Sequence, residues 1–337
     1  MTTSVSGTRN GAVDLHPVDP RAVDTSIPGD STSVEDAGAM PQVEPMGTAE
    51  QVALFGFIAI PLLAILAAIP AVWKRGLGWH DVLIATVMYA VAGHGITVGF
   101  HRYFTHGSFK ATRRLQIALA IAGSLTIEGP VIRWAADHCR HHAFSDREGD
   151  PHSPWRYGET VPALMRGLWW ANTEWLFNVE QTSRVRYAPD LTADRNVRRA
   201  TQRSPHWSRC LCSLRPSSEA YGRCPGREPR RPSSGGRWSV SGCSTTSPGQ
   251  STPICHPIGE RPFTSRDKSA NVWWLAILSM GESWHNLHHA DQTCARRGVD
   301  RGQPHSTART IWAVEKLGWA SDVRWPRPER LDDRRRQ

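Results

Sequence analysis

Residues Val52 to Trp73 run for 22 positions without a charged side chain, and Val82 to Phe100 run for 19 more, interrupted only by His94. A hydrocarbon core of roughly 30 Å takes about 20 residues of helix, so either run can cross a bilayer. Trp73-Lys74-Arg75-Gly76 closes the first run as an interfacial stop, and the short connection makes the pair a helical hairpin. Two buried helices of a soluble core are the competing reading, to which these lengths are less suited. Leu115 to Ile127 is a third apolar run of 13 residues, the length of a re-entrant or interfacial segment. Val272 to Met280 is apolar but too short to cross. The aromatic stretch from Trp155 to Trp175 reads as helices lying along a membrane surface.

The chain has 337 residues and a formal charge of +9, carried by 36 Arg against 4 Lys. An arginine bias of that kind points to a GC-rich genome more than to a nucleic-acid surface, and no nucleic-acid partner is expected. Seven Cys without a CxxC pair support neither a disulfide framework nor a zinc ribbon. Residues 1–48 are rich in Ser, Thr, Pro, Asp and Val and read as a disordered tail rather than a signal peptide.

Histidine spacing carries the chemistry. The sequence contains His101-Arg-Tyr-Phe-Thr-His106, His138-Cys-Arg-His141-His142 and His285-Asn-Leu-His288-His289. On a helix, positions i, i+3 and i+4 share a face, so each HxxHH aims three imidazoles at one place. In a chain with 15 His, two such motifs arise by chance in about one chain in two thousand. HxxxxH does not align on a regular helix, so its two imidazoles sit at a helix end or serve different ions. The isolated His16, His80, His152, His206 and His305 read as ordinary surface or core residues. His94, inside an apolar run, stays open between structural and functional roles. Imidazole suits Zn, Cu, Fe and Ni alike, and eight clustered His exceed one closed zinc site, which suggests two ions. No HExxH zinc-protease motif occurs.

If the three boxes share a site, the 13-residue run does not cross, and box two returns to the side on which box one emerges. Arg102, Lys110, Arg113, Arg114, Arg133 and Arg140 crowd that side and mark it as cytoplasmic, with the N-terminus.

The segments HRYFTHGSFKA, WAADHCRHHAFSDREGDPHSPWRYG, GERPFTSRDKSANVWWLAILSMGESWHNLHHADQTCARRGVD and EKLGWASDVRWP resemble the membrane fatty acyl-CoA delta-9 desaturases, with the bacterial, actinobacterial-looking branch nearest. The resemblance covers roughly Ala49 to Asp190 and Cys255 to Pro326. It implies an all-α integral membrane protein, four spans under a cytosolic helical cap, in a bacterial cytoplasmic membrane. It also implies a di-iron centre on His101, His106, His138, His141, His142, His256, His285, His288 and His289. His256 enters only through the family pattern. Thr252 stands where the family has an Asn that orients a metal-bound water. The implied reaction uses O2 and two electrons to desaturate a long-chain acyl-CoA or related thioester. No haem domain is recognisable in the sequence, so a separate reductase or ferredoxin-like protein is the implied electron donor. Asp137, Asp146, Asp150 and Glu282 are candidate acceptors for imidazole N–H groups. Ala136 replaces an Arg that contacts CoA in animal members, and Gly129 replaces an Asn.

Residues 195–254 break the pattern. They hold 11 Arg, 12 Ser, 7 Pro, 6 Gly and 4 Cys where the family has its second hairpin, and no window there can span a bilayer. A disordered loop and a basic arm fit less well than a segment translated out of frame between two family-like stretches. The expected organisation is therefore the tail over 1–48, the first hairpin with boxes one and two over 49–194, and the anomalous segment over 195–254. A cap with box three over 255–326 and a charged tail over 327–337 complete it. A chain made as written loses half its bundle, which threatens the meeting of box three with the other two. Rival functions are a histidine-box fatty acid or alkane hydroxylase, a metal transporter, and an inactive frameshifted remnant.

Overall fold

The computed structural model describes residues 43–52, 54–56, 59, 63, 66, 78–126, 128–203 and 253–336. The expected tail up to residue 42, most of the first apolar run, and residues 204–252, Thr252 among them, lie outside the described residues. Those residues of the first run that are described are helical.

The described chain is mainly helical. Helix α1, Trp79–His94, continues without interruption into a π-helical segment, Gly95–Thr105. Val82–Thr105, 24 residues with mean hydropathy 1.7, is the one helix among the described residues long and apolar enough to cross a membrane. The second apolar run of the sequence thus extends five residues further than expected, as far as box one. Val82, Leu83, Ile84, Val87 and Val91 are exposed along α1, while every residue from Gly95 to Thr105 is buried. The consecutive β-branched residues Ile96, Thr97 and Val98 crowd an α-helical turn. Two side chains reach carbonyls five residues back, Thr105 Oγ1 to Phe100 O at 2.7 Å and Arg102 Nη1 to Thr97 O at 2.9 Å.

After β2, Lys110–Ala111, helix α2 spans Arg113–Ser124. Leu115, Leu119 and Gly123 recur at i+4, as do Gln116, Ala120 and Ser124, and this double row is the buried face. The row packs on the π-helical segment where two glycines meet: a Cβ on Gly95 would lie 2.2 Å from Gly123 N. At 1.5 Å per residue α2 is about 18 Å long, well short of a bilayer core. Helix α3, Val131–Phe144, begins after Pro130 and turns Val131, Ala135, His138 and His142 inward. Phe100, Tyr103 and Phe104 join Val131, Ile132 and Ala136 in one core, each large side chain stabilising the fold by about 1.5–3 kcal/mol. Ala136 is fully buried there.

Helix α4, Val161–Asn172, buries Gly167 and Ala171 and exposes Val161, Met165 and Trp169 at successive i+4 positions. Short helices α5, Arg184–Tyr187, and α6, Pro189–Ala193, follow β3, Glu180–Thr182. The first strand, β1, Val43–Pro45, pairs antiparallel with β3, Val43 opposite Thr182, and Met46 is buried. The last residues assigned to the tail are therefore structured: three backbone pairings and one apolar anchor offset their ordering entropy. Beyond the anomalous segment come α7, His285–Ala290, and α8, Ser306–Lys316. Then β4, Ala320–Ser321, pairs with β2, and α9, Pro328–Asp332, closes the chain. Thr307 Oγ1 ties α8 to Thr97 Oγ1 at 2.9 Å and to Met280 O at 2.9 Å.

Candidate metal centre

The π-helical turns bring His101 and His106 together. A helix bonded i to i+5 places residues five apart nearly above one another, and His106 N donates to His101 O at 3.1 Å. The two imidazoles join one group rather than separate ions, because the wide turns replace the regular helix that the spacing argument assumed. Helix α3 presents His138, His141 and His142, α7 presents His285, His288 and His289, and the loop after Pro253 presents His256.

The nine side chains sort into two buried groups: His101, His106, His138, His142 and His288, and His141, His256, His285 and His289. In each group the candidate ligand atoms all lie within 4.8 Å of one another. The anomalous segment does not keep box three away: His288 Nε2 is 3.1 Å from His101 Nε2 and 2.7 Å from His142 Nε2. In the second group His289 Nε2 is 2.9 Å from His285 Nε2, itself 3.3 Å from His256 Nε2.

Carboxylates fix several rings from behind. Asp150 accepts from His141 Nδ1 at 3.0 Å, Asp146 from His256 Nδ1 at 2.9 Å, and Asp267 from His289 Nδ1 at 2.5 Å. Glu282 accepts from His101 Nδ1 at 2.7 Å. With the proton held on Nδ1, Nε2 of each ring is left as a lone pair aimed into its group. His141 Nε2 is buried without a hydrogen-bond partner among the described residues, and the Nε2 lone pairs of His256 and His289 both crowd His285. Converging unprotonated imidazoles are the donor set that a borderline divalent cation satisfies. The residues fit a metal.

Burial lowers His138, His142, His285 and His288 well below the usual imidazole range, and neighbouring imidazoles push the same way. His289 is brought down to about 4 by burial, against the opposing pull of Asp267. For His141 burial also acts downward, but the Asp150 carboxylate outweighs it and raises the ring. Neutral rings bind metal without first losing a proton.

Of the expected backing acids, Asp146, Asp150 and Glu282 meet ring nitrogens. Asp137 does not: it follows Ala136 on the wrong side of α3 and lies 3.8 Å from Arg133. Asp267 was not foreseen, since nothing in the spacing of SRDKSAN relates it to His289, 22 residues on. Arg102 is not part of a charged surface. It is fully buried, donating to Ala295 O and Thr97 O and pairing with Glu282. Arg297, equally buried, shares Glu282 at 2.5 Å. His152 departs from its bland reading by stacking on His141 at 4.5 Å and forming a third group with His141 and Asp150. His305 is a satisfied core residue, accepting from Ala308 N at 3.1 Å at the start of α8. His94 bonds its own helix at Ala90 O, 2.7 Å away, and stands outside the three histidine-containing groups.

The profile of the fatty acid desaturase family matches residues 77–214. A hex-5-enoyl-[acyl-carrier protein] acetylenase of Moorena producens is 34% identical over 279 residues, covering 81% of this chain and 86% of that protein. Delta-9 acyl-lipid desaturase 1 of Arabidopsis thaliana is 30% identical over 74% of this chain and 76% of its own. The sn-1 stearoyl-lipid 9-desaturase of Synechocystis is 30% identical over 84% and 83% respectively. The chain belongs to the fatty acid desaturase family.

Proposed function

Starting from that membership, we propose that the protein is an O2-dependent desaturase that introduces a cis double bond into a long-chain saturated acyl group, with two irons held by the nine histidines. The observation that carries this reading is the sorting of nine buried imidazoles into two adjacent groups, four of their rings oriented by carboxylates. Overall, one CH2–CH2 unit, O2, two electrons and two protons give CH=CH and two waters. Iron, when bound, supplies the oxygen chemistry that removes the two hydrogens. The chain's own residues do the rest. His101, His106, His138, His142 and His288 would hold one ion, and His141, His256, His285 and His289 the other. Asp146, Asp150, Asp267 and Glu282 keep the Nδ1 protons and so hold the opposite lone pairs toward the metals. Trp134, stacked on His138 at 4.9 Å and edge-on to His101 at 5.4 Å, covers one side of the first group.

The acyl carrier in this reading is a thioester or a lipid. By name, relatives act on acyl-carrier protein, acyl lipid and acyl-CoA substrates. Ala136, where animal acyl-CoA enzymes carry an Arg, favours a carrier handle other than the one they use. We further propose an out-of-frame origin for residues 195–254, so that the frame-repaired chain forms the four-span bundle with a cytosolic cap in a bacterial cytoplasmic membrane while the chain as written keeps only the first hairpin, and a separate electron-transfer protein.

The experiment is expression of the chain as written beside a frame-repaired version, with iron content and lipid products measured. The reading expects about two irons per chain, a monounsaturated rather than hydroxylated product, and higher activity in the repaired chain. An iron-free repaired chain, or a hydroxylated product, would overturn it.

A further inference from the structure

The two histidine groups differ in what stands behind them. In the four-histidine group, three separate buried carboxylates face ring nitrogens: Asp150 on His141, Asp146 on His256 and Asp267 on His289. In the five-histidine group only His101 meets an acid among the described residues, Glu282 at 2.7 Å, and that acid is already shared by Arg102 and Arg297. These three are at most 1% exposed, so water screens none of them. Arg297 also places Nη2 2.8 Å from His101 Nε2, the nitrogen that faces the group. Nδ1 of His142 and of His288 meets no polar partner among the described residues.

The formal charges in direct contact follow. Three carboxylates give −3 behind the four-histidine group. One carboxylate and two guanidinium groups give +1 behind the five-histidine group. Asp137, one residue before His138, is offset by Arg133 and does not alter this difference. Coulomb interactions strengthen as the surroundings dry out, so a divalent cation senses the four-unit difference strongly in a buried site. One extra neutral imidazole in the five-histidine group is a smaller attraction than three backing carboxylates, and a guanidinium on one ligand's lone pair opposes it directly.

We propose that the four-histidine group fills first and holds its cation more tightly, and that Arg297 keeps the five-histidine group the weaker, last-filled and first-lost position. Asp267 and Arg297 are positioning residues with opposite effects on the two ions. The inference rests on the metal reading proposed above.

The test is titration of the chelator-stripped full chain in detergent with Co2+, followed by visible absorption and metal analysis. Two binding steps at least about tenfold apart are expected, since partners behind metal ligands typically change affinity by about 10–100-fold. Asp267→Asn should weaken the first step by about 10–100-fold and leave the second in place. Asp146→Asn should do the same, which covers the case in which one variant fails to fold. Arg297→Gln should tighten the second step. Two equivalents of equal affinity, or carboxylate variants that weaken only the second step, would overturn the proposal while leaving the metal reading intact. A folded chain that binds no Co2+ would remove both.

Discussion

His101 and His106, five residues apart, serve one group because the backbone between them is π-helical, with His106 N bonded to His101 O at 3.1 Å. Inserting one residue after Tyr103 would set the two histidines six apart, off a shared face in an α- or a π-helical segment alike, and should swing His106 out of the group. The measurable outcome is a loss of about half of the bound metal per chain, with the cation of the four-histidine group retained.

Glu282 pairs with two guanidinium groups that have no access to water. Glu282→Gln keeps the shape and removes the charge, leaving Arg102 and Arg297 without a counter-ion. Thermal unfolding of the metal-free protein should show a loss of about 3–5 kcal/mol. Asp137→Asn is the control: its carboxylate meets Arg133 and no ring nitrogen, so metal content should not change.

Acid should unfold the metal-free protein early. His289 is held at about 4, and His138, His142, His285 and His288 also lie below the ordinary value of 6.5. In the unfolded chain these rings take up protons as pH falls through about 6.5, whereas the folded chain resists until lower pH. Their contribution is therefore intact above pH 6.5 and is lost progressively as pH falls toward 4. Melting temperature measured across that window should fall steeply in the stripped protein and less in the metal-loaded one.

Gly95→Ala would put a methyl 2.2 Å from the Gly123 backbone and force α2 off the π-helical segment. Overpacking of this kind costs about 1–3 kcal/mol or more. Because His101 rides on the same segment, metal affinity should fall along with stability. Gly129→Ala, where an added Cβ meets nothing within 4 Å, should cost only the strain of its positive φ and leave metal affinity unchanged.

Eight of the nine clustered histidines are legible from spacing, because HxxHH encodes a helical face directly. His256 needs the family pattern, since a single loop histidine carries no period. The π-helical geometry is invisible because hydrophobic periodicity assumes 3.6 residues per turn, and a wholly buried segment has no polar face to betray another pitch. Asp267 escapes notice for the same reason as His256. Asp137 attracts it wrongly, because adjacency in sequence sends neighbouring side chains to different sides of a helix. Arg102 and Arg297 look like surface charges until Glu282, about 180 residues from one and 15 from the other, is seen between them.

From Trp79 to Thr105 the chain is one unbroken helical rod, with an apolar outer face at one end and a histidine of the five-membered group at the other. In the membrane setting proposed above, tilting the rod to suit a thinner or thicker lipid layer would swing His101 by the same angle. The surrounding lipid would then act as a mechanical input on the weaker of the two cation positions, and acyl chains of different length would tune the centre that makes them.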